Sequence, residues 1–179
     1  AALECAVAVA WNDLGGLGLS RDALAAAARR AENDVVGAPT GVMDQMASLQ
    51  GQAGNLVFID TRSLVVEPVP FDPSSAGLAL LVIDSKAPHA LVDGEYAERH
   101  RSCERAVEIL GVRALRDVTP DDLDDALVRL GDGAEGDLLR KRVRHIVTEN
   151  ARVLDVVATL RSGDDLRTIG PALTACTRR

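Results

Sequence analysis

The chain has 179 residues, of which 47% are hydrophobic and 2% are aromatic, and its formal net charge is −7 at pH 7. A chain of this length and composition can bury a sizeable core in one domain or in two small ones. The acidic balance argues against a nucleic-acid-binding surface, because such surfaces neutralise phosphates with lysine and arginine.

Three helices are predicted in the first quarter of the chain. An apolar segment over 1–14 predicts a helix that is buried between layers, and two glycines follow it. Ser20 is a natural N-cap for an alanine-rich helix that runs to about Glu32. A loop with two glycines and a proline then leads into a third helix, which carries Asp44 in its first turn.

The next segments favour strands. Residues 55–60 and 64–70 are rich in β-branched side chains and are joined by a short link, which predicts an antiparallel pair. Turn-forming residues cluster at 72–77, where we place a domain boundary. The continuous apolar run 78–83 predicts a strand buried on both faces. The remainder is predicted to be helical, with helices at 95–110, from Thr119 onward, at 138–160 and at 166–175.

The three cysteines are scattered, at Cys5, Cys103 and Cys176. They form no close pair of the kind found in zinc or redox sites, and their odd number argues against a disulfide framework. We expect Cys5 and Cys103 to be small core residues with reduced thiols, which indicates a cytoplasmic protein. The apolar N-terminal run is short and has no basic flank, so neither export nor association with a membrane is predicted.

Three residues are candidates for chemistry. At the start of a helix the macrodipole keeps a carboxylate ionised, so Asp44 is either an end-cap carboxylate or a base. Glu32 lies twelve positions earlier and is, by itself, either a solvated side chain or a metal ligand. Tyr96 is the only tyrosine, and it is either a core aromatic of its helix or a phenol that contacts a sugar.

Four segments resemble those of galactokinases, which are GHMP small-molecule kinases. Residues 30–45 resemble the R-A-E-N-x-x-V-G-x-P-x-G-x-M-D-Q segment, and residues 1–4 resemble the end of the phosphate-binding G-L-S-S-S-A-A-L-E motif. Residues 81–96 are similar to the strand and sugar-side segment, and residues 145–154 resemble the H-x-x-x-E-N-x-R-V helix. The chain therefore looks like the middle of a galactokinase.

The resemblance implies an α+β fold, namely a partial GHMP kinase fold. Residues 1–76 would be the rear of the N-terminal α+β domain that binds ATP and sugar, and residues 77–179 the front of the C-terminal α/β domain. It also implies phosphorylation of α-D-galactose at the C1 hydroxyl, with ATP and Mg²⁺ as cofactors. Two alternatives stay open: a kinase for N-acetylgalactosamine or arabinose, and a non-catalytic galactose- and ATP-sensing protein.

The same resemblance assigns roles to the three candidates. Asp44 would bind the sugar and act as the catalytic base at its C1 hydroxyl, Glu32 would be the magnesium ligand, and Tyr96 would contact galactose. No nucleotide-binding residue is assigned, because the phosphate-loop serines would precede residue 1. The family's N-terminal R-x-N-x-I-G-E-H-T-D-Y and C-terminal G-G-G-F-G-G segments have no counterpart here.

These gaps lead to two expectations about the isolated chain. Without the phosphate loop it should have little or no kinase activity. Because strands of both domains would be absent, exposed sheet edges should make it self-associate, whereas the complete protein is expected to be a monomer.

Overall fold

A computed structural model describes most of the chain. The described residues are 1–38, 40–84, 86 and 95–177, except for the side chains of residues 95, 96 and 177. The chain divides into two compact units, Ala1–Asp84 and Ser85–Arg179. The described residues are mainly helical with one small sheet, which is consistent with the α+β class predicted for a partial GHMP fold.

The first unit contains three α-helices, a π-helical segment and a β-hairpin. In chain order these are Ala2–Leu14 (α1), Arg21–Arg30 (α2), the π-helical Ala31–Val36, Met43–Gln50 (α3), Asn55–Ile59 (β1) and Val66–Pro70 (β2). The two strands pair antiparallel, from Asn55 opposite Pro70 to Ile59 opposite Val66. The predicted helices and strand pair of this region are confirmed, whereas the π-helical segment was not predicted.

The start of α2 and the core of the first unit follow from local chemistry. The Ser20 hydroxyl accepts a hydrogen bond from the backbone N–H of Ala23 at 3.2 Å, as predicted for the N-cap. Ala25 and Ala28 of α2 are buried, and their small side chains let α3 pack closely against α2. The buried cluster consists of Cys5, Leu24, Ala25, Ala28, Val42, Met46 and Leu49.

The prediction that α1 is buried between layers is wrong for the described residues. Cys5 is 2% exposed, but Leu3, Trp11 and Leu14 are 80%, 73% and 89% exposed. The reason is that α1 packs on α2 and α3 along one face, and no other described element covers its opposite face.

The predicted buried strand at 78–83 is also not observed. This segment forms no strand, and Leu81 and Val82 are 79% and 83% exposed. A strand buried on both faces requires neighbouring strands and covering layers. Within the described residues the only sheet is the β1–β2 hairpin, which does not pair with this segment.

The second unit is helical. Its elements are Glu95–Leu110 (α4), the 3₁₀ turn Leu115–Asp117, Leu123–Arg129 (α5), Gly133–Ser162 (α6), the 3₁₀ turn Leu166–Ile169 and Gly170–Thr177 (α7). Leu139, Val143 and Val147 recur at four-residue spacing on α6 and are at most 2% exposed. Around them lie Ala106, Leu110, Leu115, Val118, Ala126, Leu127 and Leu130.

Helices lie near all four predicted positions, but α5 begins at Leu123 instead of near Thr119, α6 begins at Gly133 instead of near 138, and residues 166–169 form a 3₁₀ turn before α7. Gly136 lies inside α6, and a larger residue would not fit there because a Cβ would lie 2.3 Å from the Gly131 carbonyl oxygen. No helix in the described part of the chain is long and apolar enough to cross a membrane.

Candidate functional site

The candidate site of the first unit forms where the π-helical segment ends. Gly37 has a φ of +78°, a left-handed conformation that glycine adopts without steric cost. The backbone N–H groups of Gly37 and Ala38 both donate to the carbonyl oxygen of Glu32, the second of them at 3.1 Å. These bonds close the helix and direct the chain into the loop that precedes α3.

Asn33 fixes this loop through the backbone of Thr40. Its side-chain oxygen accepts from the Thr40 N–H at 3.2 Å, and its amide nitrogen donates to the Thr40 carbonyl at 3.3 Å. The Asn33 side chain thus bonds to both the N–H and the carbonyl group of Thr40, as the backbone of a neighbouring strand would. Thr40 is held in place as a result, with its hydroxyl beside Glu32.

Two neutral donors bind the same oxygen of Glu32. The Thr40 hydroxyl and the Gln45 amide nitrogen each donate to Glu32 Oε2 at 2.9 Å. The Thr40 hydroxyl also lies 3.1 Å from the Asn33 side-chain oxygen. Its single proton belongs on the carboxylate, which is closer and charged.

Glu32 also contacts a cation and lies near a second carboxylate. The α-ammonium of Ala1 is 3.1 Å from Glu32 Oε1 and 3.7 Å from Glu4 Oε1. The Thr40 hydrogen bond, followed by that of the ammonium, lowers the pKa of Glu32, and partial burial opposes these effects. The carboxylate is therefore ionised at neutral pH.

The lowered pKa of Glu32 predicts a loss of stability in acid. The folded chain holds the carboxylate ionised more strongly than the unfolded chain, so its contribution is complete above the ordinary glutamate pKa. That contribution disappears as the pH falls through the lowered pKa. We expect the free energy of unfolding to fall more steeply with acid in the parent chain than in Glu32→Gln. Urea unfolding at several acidic pH values checks this, and parallel curves would contradict it.

Asp44 lies beside this network but points away from it. It is in the first turn of α3, as predicted, and its side chain is exposed. Successive helical residues are turned by about 100°, so Gln45 faces the interior while Asp44 faces solvent. Among the described residues, the Asp44 carboxylate has no hydrogen bond or ion pair, and only its backbone carbonyl is bonded, to the Ser48 hydroxyl.

The predicted sugar contact, Tyr96, belongs to the second unit. Its backbone lies in the first turn of α4, and its side chain lies outside the described residues.

In the same unit, Glu149 of α6 forms an ion pair with Arg152, which lowers the pKa of Glu149. Glu149 also accepts a hydrogen bond from the Cys176 thiol. This bond raises the pKa of the thiol. These two charged residues of the galactokinase-like helix are thus engaged with each other.

The donor set around Glu32 fits a magnesium ion only in part. Mg²⁺ binds through one or two carboxylates together with phosphate oxygens and water. Glu32 Oε1 already accepts a hydrogen bond from the nitrogen of Ala1, and Glu4 provides a second carboxylate nearby. The described residues contain no group of three or more His, Cys, Asp or Glu that could hold a metal by themselves. A magnesium ion here would thus need further oxygen ligands, from phosphate groups or from water.

Comparison with known families defines the class of this fold and site. Residues 1–52 match the GHMP kinases N terminal domain, and this match spans α1, the Glu32 network and α3. This part of the first unit is therefore similar to the N-terminal domain of GHMP kinases.

Within that class, the chain is homologous to the galactokinases. It is 51% identical to the galactokinase of Streptomyces coelicolor over 173 residues, and this match covers 97% of the chain and 44% of the relative. It is 45% identical to that of Mycobacterium tuberculosis, covering 98% of the chain and 47% of the relative. A crystal structure of Lactococcus lactis galactokinase complexed with galactose matches with a TM-score of 0.82 at 26% identity, over 97% of the chain and 44% of that chain. The chain thus spans less than half the length of these relatives.

Sequence reasoning found Glu32 and Asp44 but not the residues that surround Glu32. Those residues are Glu4, Asn33, Thr40 and Gln45. Two of them had a sequence signal, since Asn33 directly follows Glu32 and Gln45 directly follows Asp44. Helical periodicity could not connect them, because a π turn and a loop lie between.

Proposed function

We propose that the chain is part of a galactokinase, which transfers the γ-phosphoryl group of ATP to the C1 hydroxyl of α-D-galactose. The observation that carries this proposal is Asp44, an exposed carboxylate without a protein partner among the described residues, at the positive end of α3. The homology to galactokinases and the likeness to one solved with galactose support the choice of reaction and sugar.

Asp44 and Glu32 have different roles in the proposed phosphoryl transfer. The C1 oxygen forms a bond to the γ-phosphorus, the bond from that phosphorus to the ADP oxygen breaks, and ADP leaves with the electron pair. Asp44 orients the hydroxyl and receives its proton. Because the transition state is loose, proton removal can come late in the reaction. Glu32 would hold Mg²⁺, which neutralises charge on the phosphates when bound.

The remaining assignments are part of the same proposal. We assign residues 1–76 to the N-terminal domain and residues 77–179 to the C-terminal domain of the kinase, with Tyr96 as a galactose contact. Unpaired thiols at all three cysteines support a cytoplasmic protein. We propose that the complete protein is a monomer.

A chimeric enzyme tests the function directly. The matching segment of Streptomyces coelicolor galactokinase is exchanged for this chain, a replacement favoured by 51% identity. We expect this chimera to release ADP from ATP in the presence of galactose and Mg²⁺. The isolated 179-residue chain is expected to show no turnover. A coupled ADP assay measures both.

The same assay separates the alternatives. Faster turnover of N-acetylgalactosamine or arabinose than of galactose would replace the proposed substrate. Binding of galactose and ATP by a folded chimera without turnover would favour a sensing protein and would contradict the proposed kinase activity.

A further inference from the structure

The first turn of α3 has no side-chain cap of its own. Val42 occupies the N-cap position, and a valine side chain cannot accept a hydrogen bond from the N–H groups that follow it. A helix start without such a bond leaves its first N–H groups unsatisfied and frays more easily. Helix α3 is also short, with eight residues. The turn that carries Asp44 therefore depends on contacts made outside the helix.

Asp44 does nothing to hold this turn. Its carboxylate has no hydrogen bond or ion pair among the described residues, and its side chain is exposed. The position of the carboxylate is thus set by the backbone of α3 and of the loop before it. That loop contains Gly41, which adds backbone freedom because it has no Cβ. Any displacement of the loop would move Asp44 with it.

Asn33 binds this loop from the neighbouring π-helical segment. Its amide nitrogen donates to the Thr40 carbonyl oxygen at 3.3 Å, and its side-chain oxygen accepts from the Thr40 N–H at 3.2 Å. The Thr40 N–H also donates to the Ala38 carbonyl oxygen at 2.7 Å. The Thr40 carbonyl, in contrast, has no other partner in the described part of the chain. The bond that Asn33 donates to it is therefore the one without a substitute.

The loop is held on both sides of Gly41. Asn33 lies in the π-helical segment that continues directly from α2, and α2 packs against α3. Two residues after Thr40, Val42 is 8% exposed and belongs to the buried cluster of the first unit. Asp44 follows Val42 by two residues, so the backbone that leads to it is fixed first at Thr40 and then at Val42.

We propose that Asn33 is a positioning residue for Asp44. By holding the backbone of Thr40, it fixes the first turn of α3 and thereby the carboxylate that orients the C1 hydroxyl of the sugar. This proposal rests on the proposed kinase function, and it concerns how the chain holds Asp44 in place.

The first test replaces Asn33 by alanine in the chimera, which removes both bonds to Thr40. We expect kcat to fall by about 10–100-fold, because a displacement of about 1 Å at a reacting group can lower the rate by as much as 10²-fold. The KM for ATP should change much less, because Asn33 acts through Asp44 on the sugar side of the reaction. The coupled ADP assay with varied galactose and varied ATP measures both quantities.

A double-mutant cycle separates positioning from a general structural role. In the Asp44→Asn chimera, adding Asn33→Ala should lower kcat by less than about 2-fold, because the carboxylate that Asn33 positions is already gone. A residue that only stabilises the fold would cause the same fold-loss in both backgrounds. Equal losses, or an unchanged kcat in Asn33→Ala alone, would overturn the proposal.

A second measurement does not depend on catalysis. The Met46 N–H donates to the Val42 carbonyl oxygen at 3.0 Å and closes the first turn of α3. In the 179-residue chain, Asn33→Ala should speed hydrogen exchange at this amide by about 10-fold, whereas the Gly51 amide, which bonds to Ala47 at the other end of α3, should exchange at its parent rate. NMR measures both amides. An unchanged Met46 rate, or equal acceleration at both amides, would overturn the proposal.

The matched control is Asn55→Ala. The Asn55 side chain also donates to a backbone carbonyl, that of Ala53 at 3.0 Å, but it lies at the start of β1. This variant should keep the parent kcat and the parent Met46 exchange rate. Asn33→Gln, which places the same groups one methylene further out, should act like Asn33→Ala and serves if that variant does not fold. An inactive parent chimera would refute the kinase function, and the exchange rates would still test the hold of Asn33 on α3.

Discussion

Replacing Asp44 by asparagine in the chimera is expected to lower kcat by about 10²–10⁴-fold, the usual contribution of a positioned proton acceptor. Asparagine has nearly the same shape but cannot accept the proton of the C1 hydroxyl. Folding should not change, because the Asp44 side chain is exposed and has no partner among the described residues. Steady-state rates with varied galactose and varied ATP measure the effect.

The control for this prediction is Asp34→Asn. Asp34 is also an exposed aspartate of the first unit, but it forms none of the hydrogen bonds around Glu32. We expect this variant to keep the parent kcat. If Asp44→Asn retained full turnover, or if it lost ATP binding as severely as turnover, the proposed role of Asp44 would be wrong.

Replacing Leu139 by alanine is expected to destabilise the second unit by about 2–5 kcal/mol, the range for truncating a leucine in a packed core. Leu139 is 2% exposed and lies in the buried cluster of α6. Its removal leaves a cavity that the surrounding helices can fill only in part. Urea unfolding of the chain, followed by far-ultraviolet circular dichroism, measures the loss.

The same helix offers a matched control. Leu154→Ala makes the identical change at a residue that is 52% exposed, so we expect a much smaller loss of stability. Equal effects of the two substitutions would contradict the observed packing of α6. They would indicate that the Leu154 face is covered as well.

Local chemistry explains why most elements were predictable from the sequence. The Ser20 cap, the β-hairpin and the long periodic helix α6 each depend on residues close together in the chain. The segment 78–83 is different, because its predicted burial depends on neighbours that its own sequence does not define. The apolar run indicates that other elements can pack on this segment, but it does not indicate which elements these are.

The candidate site divides in the same way. Glu32 and Asp44 could be identified because the contiguous segment 30–45 contains both. The bond between Gln45 and Glu4 connects residues 41 positions apart, so it depends on how α1 packs against α3. The left-handed Gly37 and the π turn before it also escape a periodicity argument, since a π turn does not follow the helical repeat.

Because Ala31–Val36 forms a π-helical turn, the contacts of Glu32 depend on the number of residues in this segment as much as on their identity. A π turn holds one residue more than an α turn. Deleting one residue between Glu32 and Gly37 would remove the i→i+5 bond from the Gly37 N–H to the Glu32 carbonyl oxygen and would shorten the path of the chain to Thr40. The Thr40 hydroxyl would then lose its hydrogen bond to Glu32. Val35, in contrast, is 84% exposed and could be replaced by other residues. Between Glu32 and Gln45, the chain should therefore tolerate substitutions at exposed positions far better than insertions or deletions.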